Sequence, residues 1–209
     1  MEQISPTRTE LLTRLVQVRL ARQGADLLRA KREALMREFL SELSAFSETR
    51  SAMNKAMVEA VQALINALAV DGRESAASVA LACRRPINLT VQRKNIWGIR
   101  VVDVTSDYAV RTPSQRGYTP VGVSARLDET AERFEAALDL ILRLAPLDLK
   151  LRALAEGIRK TSRRVNALEQ RLLPKLDEQI RFIRNVLDQR EREDIFRLKM
   201  LKHKNAARP

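Results

Sequence analysis

The sequence predicts a mainly α protein: a long antiparallel two-helix coiled coil formed by the N- and C-terminal helices, with a small central insert containing a β-hairpin. Three observations predict it. Between residues 163 and 204, Val165, Leu168, Leu172, Leu176, Ile180, Ile183, Leu187, Ile195, Leu198 and Leu201 recur mostly at steps of three and four, which is one apolar stripe on a helix. That stripe is too narrow for a globular core and calls for a partner helix. The other end of the chain supplies one: Leu11, Val18, Ala25, Arg32, Phe39 and Phe46 lie at steps of seven, with Leu15, Ala21, Leu28, Leu35 and Leu43 between them, a coiled-coil-like seam. Finally, Ile87, Leu89 and Val91 alternate with polar residues, and Ile99-Arg100-Val101-Val102-Asp103-Val104 follows Lys94-Asn95-Ile96-Trp97-Gly98. Two β-branched runs around an Asn/Gly-bearing connection read as a hairpin.

The elements follow in order, dividing the chain into an N-terminal shaft helix (1–70), an insert (71–123) and a C-terminal shaft helix (124–209). Ser5 is a good N-cap for a first helix and Pro6 suits its first position. Ala21, Gly24 and Ala25 would admit a close partner backbone, and Gly24 costs about 1 kcal/mol relative to Ala in a helix, which argues for a packing role; a tolerated surface glycine is the alternative. The Ser/Thr-rich stretch 41–51 weakens the helix locally and Ser47 to Ser51 is a candidate break, and Asp71-Gly72 is a stop signal. Glu74 to Cys83 reads as a short helix. An isolated hairpin is marginal in water, so this one needs a helix or a partner to lean on. Ser106 to Gly122, with two Pro, two Gly and two Tyr, reads as a loop. Ser124 caps the returning helix, in which Pro146 and Pro174 predict bends or interruptions. Two long helices around one insert fold back antiparallel and bring the termini together.

Composition narrows the function. Charged residues are 31 % of the chain and aromatics only 4 %, the makeup of long helices rather than of a sheet-built enzyme. There is no phosphate-binding glycine loop. The single histidine, His203, reads as a solvated end residue, so no Ser/His/Asp triad can be built. No metal site or cofactor is expected. Cys83, the only cysteine, reads as a small packing residue. Carboxylates such as Asp128, Glu129, Glu191 and Asp194 read as surface ion-pair partners worth about 0–1 kcal/mol. The chain is not expected to be an enzyme. No run is long and apolar enough to span a bilayer, and no leader is read in the first ten residues. The net charge is +12, and the helix ends concentrate it: residues 8–37 hold eight basic and three acidic side chains, and residues 197–208 hold five Lys/Arg and no acid. Charge alone leaves nucleic acid, an anionic surface and an acidic protein open as partners, although the aromatics do not interleave with the cations as a stacking platform.

Three motifs in order narrow this further. Ser5-Pro6-Thr7-Arg8 and Arg19-Leu20-Ala21 with Gly24, Leu27, Leu28, Lys31 and Arg32 resemble the N-terminal signature of the D subunit of the V-type (archaeal/vacuolar-type) ATPases and ATP synthases. Arg163 to Glu169, Leu173-Pro174, Arg190 to Glu193 and Phe196 to Lys199 resemble its C-terminal signature. Lys94 to Ile99 is similar to its hairpin motif, departing at Trp97, where a small residue is common, and at Val101-Val102-Asp103, where Pro often stands. The resemblance implies a non-catalytic rotor shaft without cofactor, on the cytoplasmic side and peripheral to the membrane, coupling ATP synthesis or hydrolysis to proton or sodium transport. The implied partners are the F subunit, the catalytic A and B subunits, and the C (d-type) socket protein above the membrane ring, with neither nucleic acid nor membrane insertion. On that reading Arg8, Arg14, Arg190, Arg192, Arg197 and Lys199 form a basic tip meeting the head. Asn95, Ile96, Trp97 and Gly98 serve the hairpin, and two roles stay open for Trp97: anchoring the F subunit, or covering the shaft's own helices.

Overall fold

The computed structural model describes residues 5–106 and 109–206, without the side chains at 120 and 203–206; the reading of His203 as a solvated residue therefore lies outside the described residues. The element order is α1 (Arg8–Ala82), β1 (Leu89–Ile96), β2 (Ile99–Ser106), two 3-10 turns (Pro113–Gln115 and Pro120–Gly122), α2 (Ala125–Ala167), a π-helical turn (Leu168–Leu172) and α3 (Leu173–Ala206). The protein is mainly helical, with one antiparallel hairpin between α1 and α2.

Local chemistry accounts for the boundaries. Thr7, not Ser5, caps α1: its Oγ1 accepts from the Glu10 N–H at 3.2 Å and its carbonyl from the Leu11 N–H at 3.0 Å, as an N-cap does. The Ser/Thr stretch does not break the helix. Ser41, Ser44 and Thr49 hydroxyls donate to carbonyls one turn back, at Glu38, Ser41 and Ala45, so they are satisfied within the helix. The one non-helical residue inside α1 is Gly72, at φ 80°. Ser124 caps α2 as expected, its Oγ taking the Arg126 N–H at 3.3 Å. α2 continues through Pro146, which removes one ladder bond without ending the helix. Ahead of Pro174 the chain takes the π turn, with the Leu173 N–H donating to the Leu168 carbonyl.

The structure divides into two compact units. One joins the described residues up to Glu33 with those from Arg159 on; the other is Ala34–Ile158. In the first, Val18, Leu176 and Ile180 form a buried cluster flanked by Leu11 and Leu173, with Ala21, Ala25, Val165 and Ile183 also buried. Ion pairs Arg29–Glu169 (2.7 Å), Arg22–Asp177 (3.8 Å) and Arg8–Glu191 (2.6 Å) fix an antiparallel register, the second number rising as the first falls. Gly24 does not admit a close backbone: a methyl group there would meet nothing within 4 Å.

In the second unit Leu35, Ala60, Ala67, Ala137, Leu151 and Leu154 are buried. Lys150 bridges Glu38 and Glu42 at 2.8 and 2.7 Å. The close approach lies here, at Gly157, where a Cβ would overlap the Ile99 Cδ1 beside the hairpin turn, next to Leu35. The missing side chain lets β2 seat on α2 beside α1.

Candidate functional site

The first candidate region is the end of α3. Past Glu191 no residue of α1 lies alongside, because α1 begins at Arg8. From Asp188 to Lys202 every side chain is exposed. Ile195, Leu198 and Leu201, which the periodicity assigns to a seam, are 54–66 % exposed, as are Phe196 and Met200. The stripe is real, but its lower half, at Val165, Leu176, Ile180 and Ile183, is the part that meets a partner within the chain.

The six basic residues divide by what they touch. Arg8 pairs with Glu191, and Arg190 Nη1 donates to the Pro6 carbonyl at 3.1 Å. Arg14 Nε pairs with Glu10 at 2.8 Å, and its Nη1 reaches Gln17 at 3.1 Å. Arg197 lies a loose 3.9 Å from Asp194. Arg192 and Lys199 enter no ion pair among the described residues. The Arg14–Glu10 pair is half-buried; the exposed pairs are worth about 0–1 kcal/mol each, so they form and release readily.

The second region is the hairpin. Pairing runs from Leu89↔Ser106 to Ile96↔Ile99, leaving Trp97-Gly98 as a two-residue turn. Both have positive φ, 52° and 80°, the type I′ pattern whose twist matches a hairpin. A non-glycine residue at positive φ is uncommon, and this one is the only tryptophan, 62 % exposed at the tip. Asn95 and Gly98 are exposed and Ile96 is half-buried. Val101, 4 % exposed, and Ile99 face the helices, and Lys94 pairs with Asp103 at 2.5 Å across the strands.

A third constellation was hidden in the segment that reads as a loop. Arg111 and Arg116 converge on Glu135 of α2: Arg111 Nε at 2.8 Å, the Arg111 N–H at 3.0 Å and Arg116 Nε at 3.3 Å. Arg116 also reaches Asp128 at 2.7 Å, and the Tyr118 hydroxyl donates to the same carboxylate at 2.5 Å. Asp128 is thus no surface ion-pair partner; it is half-buried beneath the loop, whereas Glu129 does pair at the surface with Arg133. The Tyr118 hydrogen bond and then Arg116 hold the Asp128 carboxyl below its ordinary pKa against the opposing effect of burial. Burial and the Asp128 bond push Tyr118 up to about 12. Arg111 Nη2 also caps the Cys83 carbonyl past the end of α1 at 3.2 Å. Gly117, at φ 84°, brings the loop within 2.6 Å (measured from an added Cβ) of the Ala82 carbonyl. The buried charges therefore hold the loop, α1 and α2 together. The sequence signal was the spacing of Asp128 and Glu135, two turns apart on one helix face.

Beside this network lies an apolar cavity of about 540 Å³ lined by Met57, Leu64, Val79, Cys83, Phe134 and Leu138, among others. Cys83 packs there half-buried, its thiol pKa raised by burial. Among the described residues no His/Cys/Asp/Glu group could hold a metal ion, and no helix is long and apolar enough to cross a membrane.

A family model describing the D subunit of ATP synthase matches residues 10–203. Over 208 residues the chain is 42 % identical to the V-type ATP synthase D subunit of Thermus thermophilus, covering 100 % of this chain and 92 % of the relative. It is 38 % identical over 207 residues to the A-type ATP synthase D subunit of Archaeoglobus fulgidus, covering 99 % of each. It is 38 % identical over 199 residues to the A-type ATP synthase D subunit of Pyrococcus furiosus, covering 95 % of this chain and 93 % of the relative.

Proposed function

Since the chain belongs to the ATP synthase D-subunit family, we propose that it is the non-catalytic central-stalk shaft of a V/A-type ATP synthase. In that role it transmits torque between the catalytic A and B subunits and the ion-translocating ring, coupling ATP synthesis or hydrolysis to proton or sodium transport. The observation that carries the reading is the end of α3, where aliphatic and aromatic side chains and cations stand exposed along one helix with no helix packed on them among the described residues. Such a surface suits enclosure by a ring of subunits, and a stalk of paired helices supplies stiffness. Weak, exposed ion pairs suit a part that must leave each orientation easily.

On this reading the tip (Arg8, Arg14, Arg190, Arg192, Arg197 and Lys199) faces polar and acidic loops of the A/B head. Arg192 and Lys199 contribute most, since among the described residues they have neither an ion pair nor a side-chain hydrogen bond to give up. The exposed Trp97, with Asn95, Ile96 and Gly98, binds the F subunit. The C (d-type) socket protein takes the end nearer the membrane, and the shaft is peripheral on the cytoplasmic side. Replacing the six tip residues by glutamine should weaken co-purification with the A and B subunits. The gap between parent and variant should narrow as salt rises, because exposed attraction is screened within about 10 Å at 0.1 M. Equal recovery of parent and variant at low salt would overturn the electrostatic part. Recovery of the chain with salt-released nucleic acid, and without A and B, would overturn the shaft itself.

A further inference from the structure

The hairpin has an open side. β1 pairs with β2 alone in a two-stranded sheet, and every residue of β1 except Ile96 is exposed. The register says which backbone groups are free. Ile96 and Ile99 flank a two-residue turn and so form a hydrogen-bonded pair. Alternation then points the N–H and C=O groups of Lys94, Gln92 and Thr90 at β2, and those of Asn95, Arg93, Val91 and Leu89 at the open edge. The Thr105 hydroxyl reaching the Thr90 carbonyl fits this assignment.

The faces are equally unequal. Val101 and Ile99 turn toward the helices, so their cross-strand partners Lys94 and Ile96 share that face. The opposite face carries Leu89 and Val91, 52 and 60 % exposed, with Val102 and Val104, and toward the turn Arg93 and Arg100. Neither arginine enters an ion pair among the described residues. An uncovered apolar edge strand is normally blunted, because it templates strand addition.

We propose that the open edge of β1 takes a third strand from a protein partner, by β-augmentation. The partner strand places aliphatic side chains beside Leu89 and Val91 and carboxylates beside Arg93 and Arg100. A second copy of this chain fits poorly, since its β1 brings Arg93 and Lys94 and no acid, and facing cations repel. The inference concerns an edge outside the turn residues and does not depend on the shaft reading.

The test uses the full chain and a capped synthetic peptide in which two valines and then two glutamates alternate with threonines, made in both chain directions. Binding should protect the Leu89, Val91, Arg93 and Asn95 amides from hydrogen exchange and change the fluorescence of Trp97, the only tryptophan. Val91→Pro removes one outward N–H and leaves the β1–β2 ladder intact, as an edge position allows; it should weaken binding by about tenfold or more, a difference of roughly 1.4 kcal/mol. Arg93→Glu, which leaves the edge open, should weaken it too, and a peptide with lysine for glutamate should not bind. Failure of both peptide directions at about 1 mM, unchanged binding to Val91→Pro, or equal binding of the lysine peptide would each overturn the proposal.

Discussion

Glu135→Ala is expected to destabilise the protein by about 3–5 kcal/mol, because it leaves the half-buried Arg111 without its carboxylate and the buried Arg116 with Asp128 alone. The Arg116 side chain is 2 % exposed and that of Glu135 8 %, so neither charge has bulk water to fall back on. Glu135→Gln should recover only part of the loss, since it keeps acceptor geometry for one guanidinium and no charge. Urea unfolding followed by hydrogen exchange in residues 109–135 measures the effect, and a loss below about 1 kcal/mol would mean that the pair behaves as an exposed one. The same cluster shapes both pH limits. Tyr118 is pushed up to about 12 from an ordinary 10.0, so its contribution is full below pH 10 and is lost as pH rises toward 12. Asp128 is held below its ordinary 3.8, so its contribution is present above that value and lost as pH falls through its lowered pKa. Tyr118→Phe should flatten the alkaline slope and reduce the acid one, since the Tyr118 hydrogen bond is the chief cause of the Asp128 shift.

Two mid-helix glycines should respond to substitution with opposite signs. Gly24→Ala enters open space and should stabilise by about 0.5–1 kcal/mol through helix propensity and a stiffer unfolded chain. Gly157→Leu gains the same propensity but collides with Ile99. The hairpin should then lift from α2, and because an isolated hairpin is marginal, amide protection across 89–106 should fall by about tenfold or more, roughly 1.4 kcal/mol. Thermal unfolding and exchange mapping check both. A Gly157→Leu hairpin protected like the parent's would show that Ile99 repacks without moving the strands.

Those glycines also show what the sequence could and could not say. Gly24 stood out because it interrupts a readable seam, yet its surroundings are empty. Gly157 sits in an equally helical stretch, and its neighbour is 58 residues away in the chain, a contact no local pattern records. Periodicity was sufficient for the helices and for the seam through Val165, Leu176, Ile180 and Ile183, since burial of one stripe is what a 3.6-residue repeat encodes. It could not say where pairing ends, because Ile195, Leu198 and Leu201 continue the repeat past the start of α1. The β-branched runs marked the hairpin, but alternation alone does not choose a face. Docking of Ile99 and Val101 leaves Leu89 and Val91 outside. The Ser41–Ser51 stretch looked weak because serine competes with the helix backbone, and it holds because those hydroxyls bond within the helix. The resemblance names Arg8, Arg14, Arg190, Arg192, Arg197 and Lys199 together, while only the tertiary structure sorts them into Arg8, Arg14, Arg190 and Arg197, which have partners, and Arg192 and Lys199, which have none among the described residues.

The shaft reading is tested most directly by watching the chain turn. A bead is attached through Asn88→Cys, at an exposed position ahead of β1, in a Cys83→Ser background, and the chain is assembled with immobilised A and B subunits. On addition of ATP the bead should rotate in one direction and stop when ATP is exhausted. ATP hydrolysis by the assembled complex with the bead held at a fixed angle would contradict the account.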